Sequence, residues 1–149
     1  MAVDVAKLKE AWTGFAFDEV EFDVTSEELV EYARAVGETQ GRFVDPSHPE
    51  FRAVPNFTTK YHGRRMFPEN FPTLSKRHFG FDAGKCVEVH GPIHPGDRLI
   101  ARSRIHDVYE KTGRSGAMVF IVHRMEFSNQ RSDLVAIVDW RFVQRPDPE

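Results

Sequence analysis

Residues 19–24 alternate between acidic and apolar positions, with Val20, Phe22 and Val24 on one side, the period of two expected of a half-buried strand. The period then changes. Thr25 and Glu28 have the spacing of a capping box, and Leu29, Tyr32, Ala33 and Val36 recur at i, i+3, i+4 and i+7, which predicts one amphipathic helix. Gly37 ends it, because glycine tolerates the left-handed conformation common after a helix. Residues 1–18 carry no decisive period. Across residues 43–71, prolines at 46, 49, 55 and 68 deny the backbone hydrogen bonds and predict a long irregular excursion. Its aromatics Phe43, Phe51, Phe57, Tyr61, Phe67 and Phe71 argue for order; they either line a channel or staple the loop to a sheet. A short helix is expected near residues 73–78.

The rest of the chain reads as extended. Residues 85–94, 98–112, 116–129 and 134–144 are rich in Val, Ile and Phe, and they are separated by Pro95-Gly96-Asp97, Gly113-Arg114-Ser115 and Gln130-Arg131-Ser132-Asp133. Each separator has hairpin-turn chemistry, so the pattern predicts a four-strand antiparallel meander. In the last strand Leu134, Ala136, Val138, Trp140 and Phe142 form one apolar face, as in a sheet with one side on a core. The third strand is apolar on both faces and is therefore expected at the centre of the sheet. The fold class is α+β, a curved antiparallel sheet wrapped around one main helix.

Composition narrows the function. With 149 residues, 40% of them hydrophobic, one domain can bury a sizeable core, and residues 1–145 are assigned to it, with 146–149 as the start of a linker. A formal charge of -3 offers no general attraction to nucleic acid or to an anionic membrane surface. Cys86, the only cysteine, rules out an internal disulfide, and the chain start lacks the apolar run of a signal peptide; both point to the cytoplasm. No window has the length of apolar sequence that a membrane-spanning helix requires.

Several of these features occur together in a known family. The Thr-x-x-Glu helix ending in Gly37, the proline-broken loop, the segment Gly91-Pro92-Ile93-His94-Pro95-Gly96-Asp97-Arg98-Leu99 opening a long strand, and the closing strands resemble the MaoC-like dehydratases. The likeness is greatest to their N-terminal hot-dog subgroup and extends over residues 14–145. It implies a hot-dog fold paired with a second hot-dog, and the hydration of trans-2-enoyl thioesters of coenzyme A or acyl carrier protein. Such chemistry requires a base for water, an acid for the α-carbon, and donors for the enolate oxygen. Catalytic members carry an Asp/His dyad in a Gly-Asp-x-Asn-Pro-x-His segment after the helix. Aligned on Gly37, this chain has Glu38 at the aspartate position and Phe43 at the histidine position. Phenylalanine transfers no proton, so the resemblance implies a degenerate subunit that shapes the acyl pocket beside a catalytic MaoC-like partner. Pairs of this layout in steroid-degrading bacteria hydrate bulky steroid side-chain CoA thioesters. Coenzyme A enters as part of the substrate, and no separate cofactor is implied.

Two other readings stay open. The chain is a self-sufficient homodimeric hydratase if Glu38, or Asp45 with His48, acts as the base, although Asp45-Pro46-Ser47-His48 also has the chemistry of a turn. It is a non-catalytic acyl-CoA-binding module if no hydration occurs with any partner. For substrate binding the expected residues are Phe43, Phe57, Tyr61, His62, Arg64 and Arg65, the basic ones because arginine is matched to the phosphates of coenzyme A. His78 lies in a similar basic setting. His90 and His94 would share a strand face, but no third ligand accompanies them and no metal site is assigned. His106 and His123 are expected as half-buried sheet residues, and Arg102 and Arg104 as an exposed stripe.

Overall fold

The computed structural model describes residues 3–77 and 80–147. Helix α1 (Val5–Trp12) precedes strand β1 (Ala16–Asp23), so the ambiguous start contains a helix capped by the Asp4 side chain on the backbone N–H of Lys7. The main helix α2 (Ser26–Ala35) begins at Thr25, whose hydroxyl accepts from the backbone N–H of Glu28 at 3.2 Å. Glu28 does not complete the capping box in return; its carboxylate serves Lys60 and Tyr61 instead. Leu29 and Ala33 are buried as the period required, while Val36 lies past the last turn and is 49% exposed.

Within residues 43–71 the expected excursion is interrupted by two short helical turns, α3 (Gly41–Val44), which begins just before it, and a 3-10 turn (Phe57–Lys60). The helix expected near 73–78 is absent from the described residues 73–77, which form bends; His78 lies outside the described residues. Four strands follow: β2 (Phe81–Val89), β3 (Arg98–Gly113), β4 (Gly116–Ser128) and β5 (Leu134–Gln144).

The sheet is antiparallel, with order β1-β3-β4-β5-β2. This corrects the four-strand meander: only β3, β4 and β5 are joined as hairpins, and β2 pairs with β5 at the far edge. Pro95-Gly96-Asp97 is therefore part of a crossover and not a hairpin turn. That crossover is fixed at both ends. The backbone N–H groups of His90 and Gly91 donate to the Val135 carbonyl, the Gly96 N–H donates to the Val24 carbonyl, and the Val24 N–H donates to the Asp97 carbonyl. Asp97 is 6% exposed and accepts from the His94 backbone at 2.8 Å and the Gln130 side chain at 2.9 Å. β4 is central, as its two apolar faces required.

One sheet face carries two apolar clusters. Val24, Leu29 and Ala33 of the α2 region pack with Leu99, Met125 and Phe127. Leu8 of α1 and Leu74 pack with Ile105, Val108 and Ile121 further along the same strands. Phe67 stacks on Phe71 and meets Phe142 edge-on, while Phe71 meets Trp12, so this part of the excursion staples itself to the sheet. The described part of the expected linker is also tied down: Asp147 accepts from the Ser75 hydroxyl at 2.8 Å and the Lys76 backbone at 2.9 Å.

Candidate functional site

Gly37, at φ +82°, turns the chain out of α2, and the backbone N–H of Glu38 bonds the Ala33 carbonyl at 2.9 Å. The Glu38 side chain is partly exposed and folds onto its own turn, where Oε1 accepts the backbone N–H groups of Thr39 and Gln40 at 2.9 Å each. These bonds, that of Gln40 foremost, hold its pKa below the ordinary carboxylate value. A carboxylate stabilised in this way is a weaker proton acceptor. Three residues on, α3 directs Phe43 the other way, to 7% exposure within the core beside Leu29 and Val54. The two positions that would carry a dyad thus point to different environments, one to solvent and one to the core.

Asp45 and His48 are brought into one turn, with the His48 backbone N–H donating to the Asp45 carbonyl at 3.0 Å. Their side chains form no hydrogen bond with one another. Asp45 accepts the Ser47 hydroxyl at 2.7 Å and its backbone N–H at 2.9 Å, which lowers the Asp45 pKa. His48 Nδ1 accepts the Glu50 backbone N–H at 3.1 Å, leaving the ring proton on Nε2. Both groups are employed in building the turn.

Against α3 lies a cavity of about 260 Å³. Its walls are Phe43, Val54 and Pro55 from the excursion, Pro92 and Ile93 from the crossover, and Val135 and Ala136 from β5. It reaches the free edge of the sheet at Val89 of β2, which is 51% exposed. Arg42 and Arg52 also line it, joined through their backbones by a 3.0 Å bond from the Arg52 N–H to the Arg42 carbonyl. The sequence reading missed this arginine pair; its only signal was that the two flank the apolar residues Phe43 and Phe51.

The other expected substrate-binding residues are dispersed. Phe57 is fully buried, edge-on to Tyr32 and Tyr61, so it packs the core. Tyr61 is 7% exposed; burial, followed by the nearby Glu28 carboxylate, raises its pKa. Arg64 and Arg65 donate their backbone N–H groups to Asp18 at 2.6 and 3.2 Å, and their side chains border an open cleft with Glu19 and Arg102. Arg65 is also 3.7 Å from Glu69. His62 is exposed and lies 5.1 Å from the Trp140 ring, its pKa lowered by burial and by Lys85. Among the remaining sequence assignments, Arg102 pairs with Glu19, His90 with Glu88, and Arg104, half-buried where an exposed position was expected, with Glu126.

Between the two apolar clusters runs a polar row that the sequence only hinted at. The register places Ile105, His123, Trp140 and Lys85 side by side on neighbouring strands. His123 is 1% exposed, more deeply placed than the half-buried position expected. Burial pushes its pKa from 6.5 down to about 4, against the opposing pull of Asp18 and the Met66 backbone.

The five-strand antiparallel sheet on a central helix is the hot-dog fold, and it is shared with solved dehydratases. The 3R-hydroxyacyl-ACP dehydratase complex HadBC from Mycobacterium tuberculosis is 21% identical, with a TM-score of 0.64 over 97% of this chain and 100% of that one. The ChsH1-ChsH2 complex of the same organism is 16% identical, with a TM-score of 0.65 over 97% and 91%. A MaoC-like dehydratase from Rhodospirillum rubrum is 16% identical, with a TM-score of 0.62 over 92% and 94%. No curated protein matches the sequence. Residues 11–138 match the FAS1-like dehydratase domain region, and the chain belongs to that family. Among the described residues no helix is long and apolar enough to cross a membrane.

Proposed function

We propose that the chain is the non-catalytic hot-dog subunit of a heteromeric enoyl-thioester hydratase, adding water to a trans-2-enoyl thioester with an Asp/His dyad supplied by its partner. The observation that carries this reading is the divergence of Glu38 and Phe43. Phe43 is a wall of the core, and Glu38 is a solvent-facing carboxylate held by two backbone donors. No proton relay joins them. The family membership supports hydratase or dehydratase chemistry for the complex, and HadBC and ChsH1-ChsH2 are relatives in fold that occur as complexes.

The free edge of β2 supports a docking position. β2 pairs only with β5, so its other edge carries backbone groups available to a second sheet, and Phe81 and Val89 lie exposed on it. Because the cavity reaches that edge at Val89, a partner seated there covers it and gains an apolar wall for the acyl group. A bulky acyl chain, such as a steroid side-chain CoA thioester, is the substrate class this arrangement suits. A cytoplasmic location agrees with this metabolism.

The test is co-expression with a dyad-bearing hot-dog subunit. Hydration of an enoyl-CoA by the complex is expected to vanish when the partner's Asp or His is replaced and to survive Glu38→Gln and His48→Ala in this chain. Loss of activity on Glu38→Gln, with the complex still assembled, would return the catalytic role to this subunit. Binding of the thioester without hydration by any complex would favour the acyl-CoA-binding module.

A further inference from the structure

The described helices pack with the two apolar clusters on one face of the sheet, which leaves the opposite face without a helix over it. On that opposite face the strand register sets Glu19, Arg102 and Glu126 in one row and Arg104, Arg124 and Asp139 in the next. Arg124 holds Asp139 by two bonds of 2.7 and 2.8 Å, and Arg104 holds Glu126 at 2.8 Å, all four side chains being half-buried. One row further Val122 is 6% exposed, with Arg141 beside it on β5. Arg141 Nε is buried without an acceptor, and no described carboxylate pairs with that guanidinium. A buried donor left in this way is unfavourable. Beyond it the register aligns Tyr109, Phe120, Val143 and Phe81 from β3 to β2. The Tyr109 and Phe120 rings are parallel with centres 5.0 Å apart, and Lys111 stands 5.7 Å from each. The cations of the charged rows are all arginines. Arginine, tyrosine and phenylalanine are enriched where proteins meet, and lysine is depleted there.

We infer that this face is an interface with a second copy of the chain, the two sheets packed face to face about a twofold axis. A twofold contact lays one patch against itself, so the patch must be complementary to itself. A patch of one sign would repel its copy; here the two charged rows carry carboxylates and guanidinium groups in equal number and intermixed. Arg141 is the cation outside that balance, and a carboxylate of the second copy supplies its missing acceptor. The aromatic row provides the apolar part of the contact. Five strands about 4.8 Å apart, followed from Ile100 to Tyr109 at about 3.4 Å per residue, present a flat area on the order of 700 Å². A stable interface takes about 800 Å² from each partner, and side-chain relief raises the accessible area above the flat value. Face packing leaves the β2 edge open, so a second copy and a hot-dog partner can be seated together. The inference goes beyond the thioester reading and does not rest on it.

Sedimentation equilibrium tests the interface on the complex with a dyad-bearing hot-dog subunit and on the chain alone. The complex is expected at twice the mass of one pair. Arg102→Glu/Arg141→Glu, which makes the face acidic, and Glu19→Arg/Glu126→Arg, which makes it basic, should each weaken the doubling at least about tenfold while the pair stays intact and its hydration rate is unchanged. Mixing the acidic and basic variants should restore the double mass. That rescue needs two folded chains, so a folding defect cannot imitate it. A complex that remains a single pair at every concentration overturns the inference, as does a doubling that survives both variants or a mixture that stays undoubled. If the variants instead release the dyad-bearing subunit, the face belongs to that partner and the inference is wrong while the proposed function stands. Self-association of the chain that follows the charge pattern, without activation of any dyad-bearing subunit, keeps the interface and removes the proposed function.

Discussion

The Tyr61 hydroxyl donates to the Glu28 carboxylate across 3.1 Å, joining the main helix to the excursion that follows it. The same oxygen also receives the Lys60 ammonium, and Tyr61 stacks on Phe22 of β1 with ring centres 4.0 Å apart. Helix, loop and edge strand therefore meet at one ring. Tyr61→Phe keeps the stacking and removes the hydrogen bond, so it is expected to cost about 1.5–2 kcal/mol, a hydrogen bond to a charged group. Thermal unfolding should show the melting temperature falling by roughly 4–8 °C. An unchanged melting temperature would mean that Lys60 alone satisfies Glu28.

Placing a histidine at position 43 is expected not to create activity. Phe43→His places an imidazole in the core beside Leu29 and Val54, far in environment from the solvent-facing Glu38. The variant should lose about 2–3 kcal/mol in denaturant unfolding, from lost apolar burial and an unsatisfied ring nitrogen. Its hydration rate without a partner should stay at background, with or without Glu38→Asp.

His123 predicts how stability depends on pH. Its folded pKa of about 4 lies below the ordinary 6.5, so the unfolded state binds the proton more readily. The sign follows: this contribution is complete above about pH 6.5 and is lost as pH falls towards 4, to a total on the order of 3 kcal/mol. The groups facing the ring are Asp18, Lys85 and His62, with the Phe17 ring 4.9 Å away. His123→Phe should flatten the acid limb of the stability curve measured by urea unfolding between pH 4 and 7. A curve as steep as that of the unaltered chain would locate the acid sensitivity elsewhere.

Asp97 ties the crossover to the β4–β5 turn through His94 and Gln130. Asp97→Ala leaves both donors without their acceptor at a buried position and is expected to cost about 2–3 kcal/mol. Hydrogen exchange should rise first at the His94 backbone amide, because its acceptor is the one removed.

Local chemistry was the legible part of the fold. The Thr25 cap, the Gly37 stop, the central β4 and the Gly113 to Gly116 hairpin follow from short-range propensities, and the structure contains each of them. The pairing of β2 was not legible, because Pro95-Gly96-Asp97 makes an equally good turn in a hairpin or a crossover. What decides between them is long-range: Asp97 reaches Gln130, and Gly96 reaches Val24. In the candidate site, Phe43 at the position where the resemblance implies a histidine could be read from one position. The Arg42/Arg52 pair could not, since it depends on how the excursion folds back on itself. The depth of His123 likewise depends on two clusters closing over it from opposite ends of the sheet.

The central claim is that this chain lacks its own proton-transfer machinery and works beside a subunit that has it. The most direct measurement is the initial rate of hydration of a trans-2-enoyl-CoA, followed by loss of the conjugated thioester absorbance, for the purified chain alone and for its complex with a dyad-bearing hot-dog subunit. The account predicts a background rate for the chain alone and turnover for the complex. Turnover by the chain alone, abolished by Glu38→Gln or by His48→Ala, would contradict it.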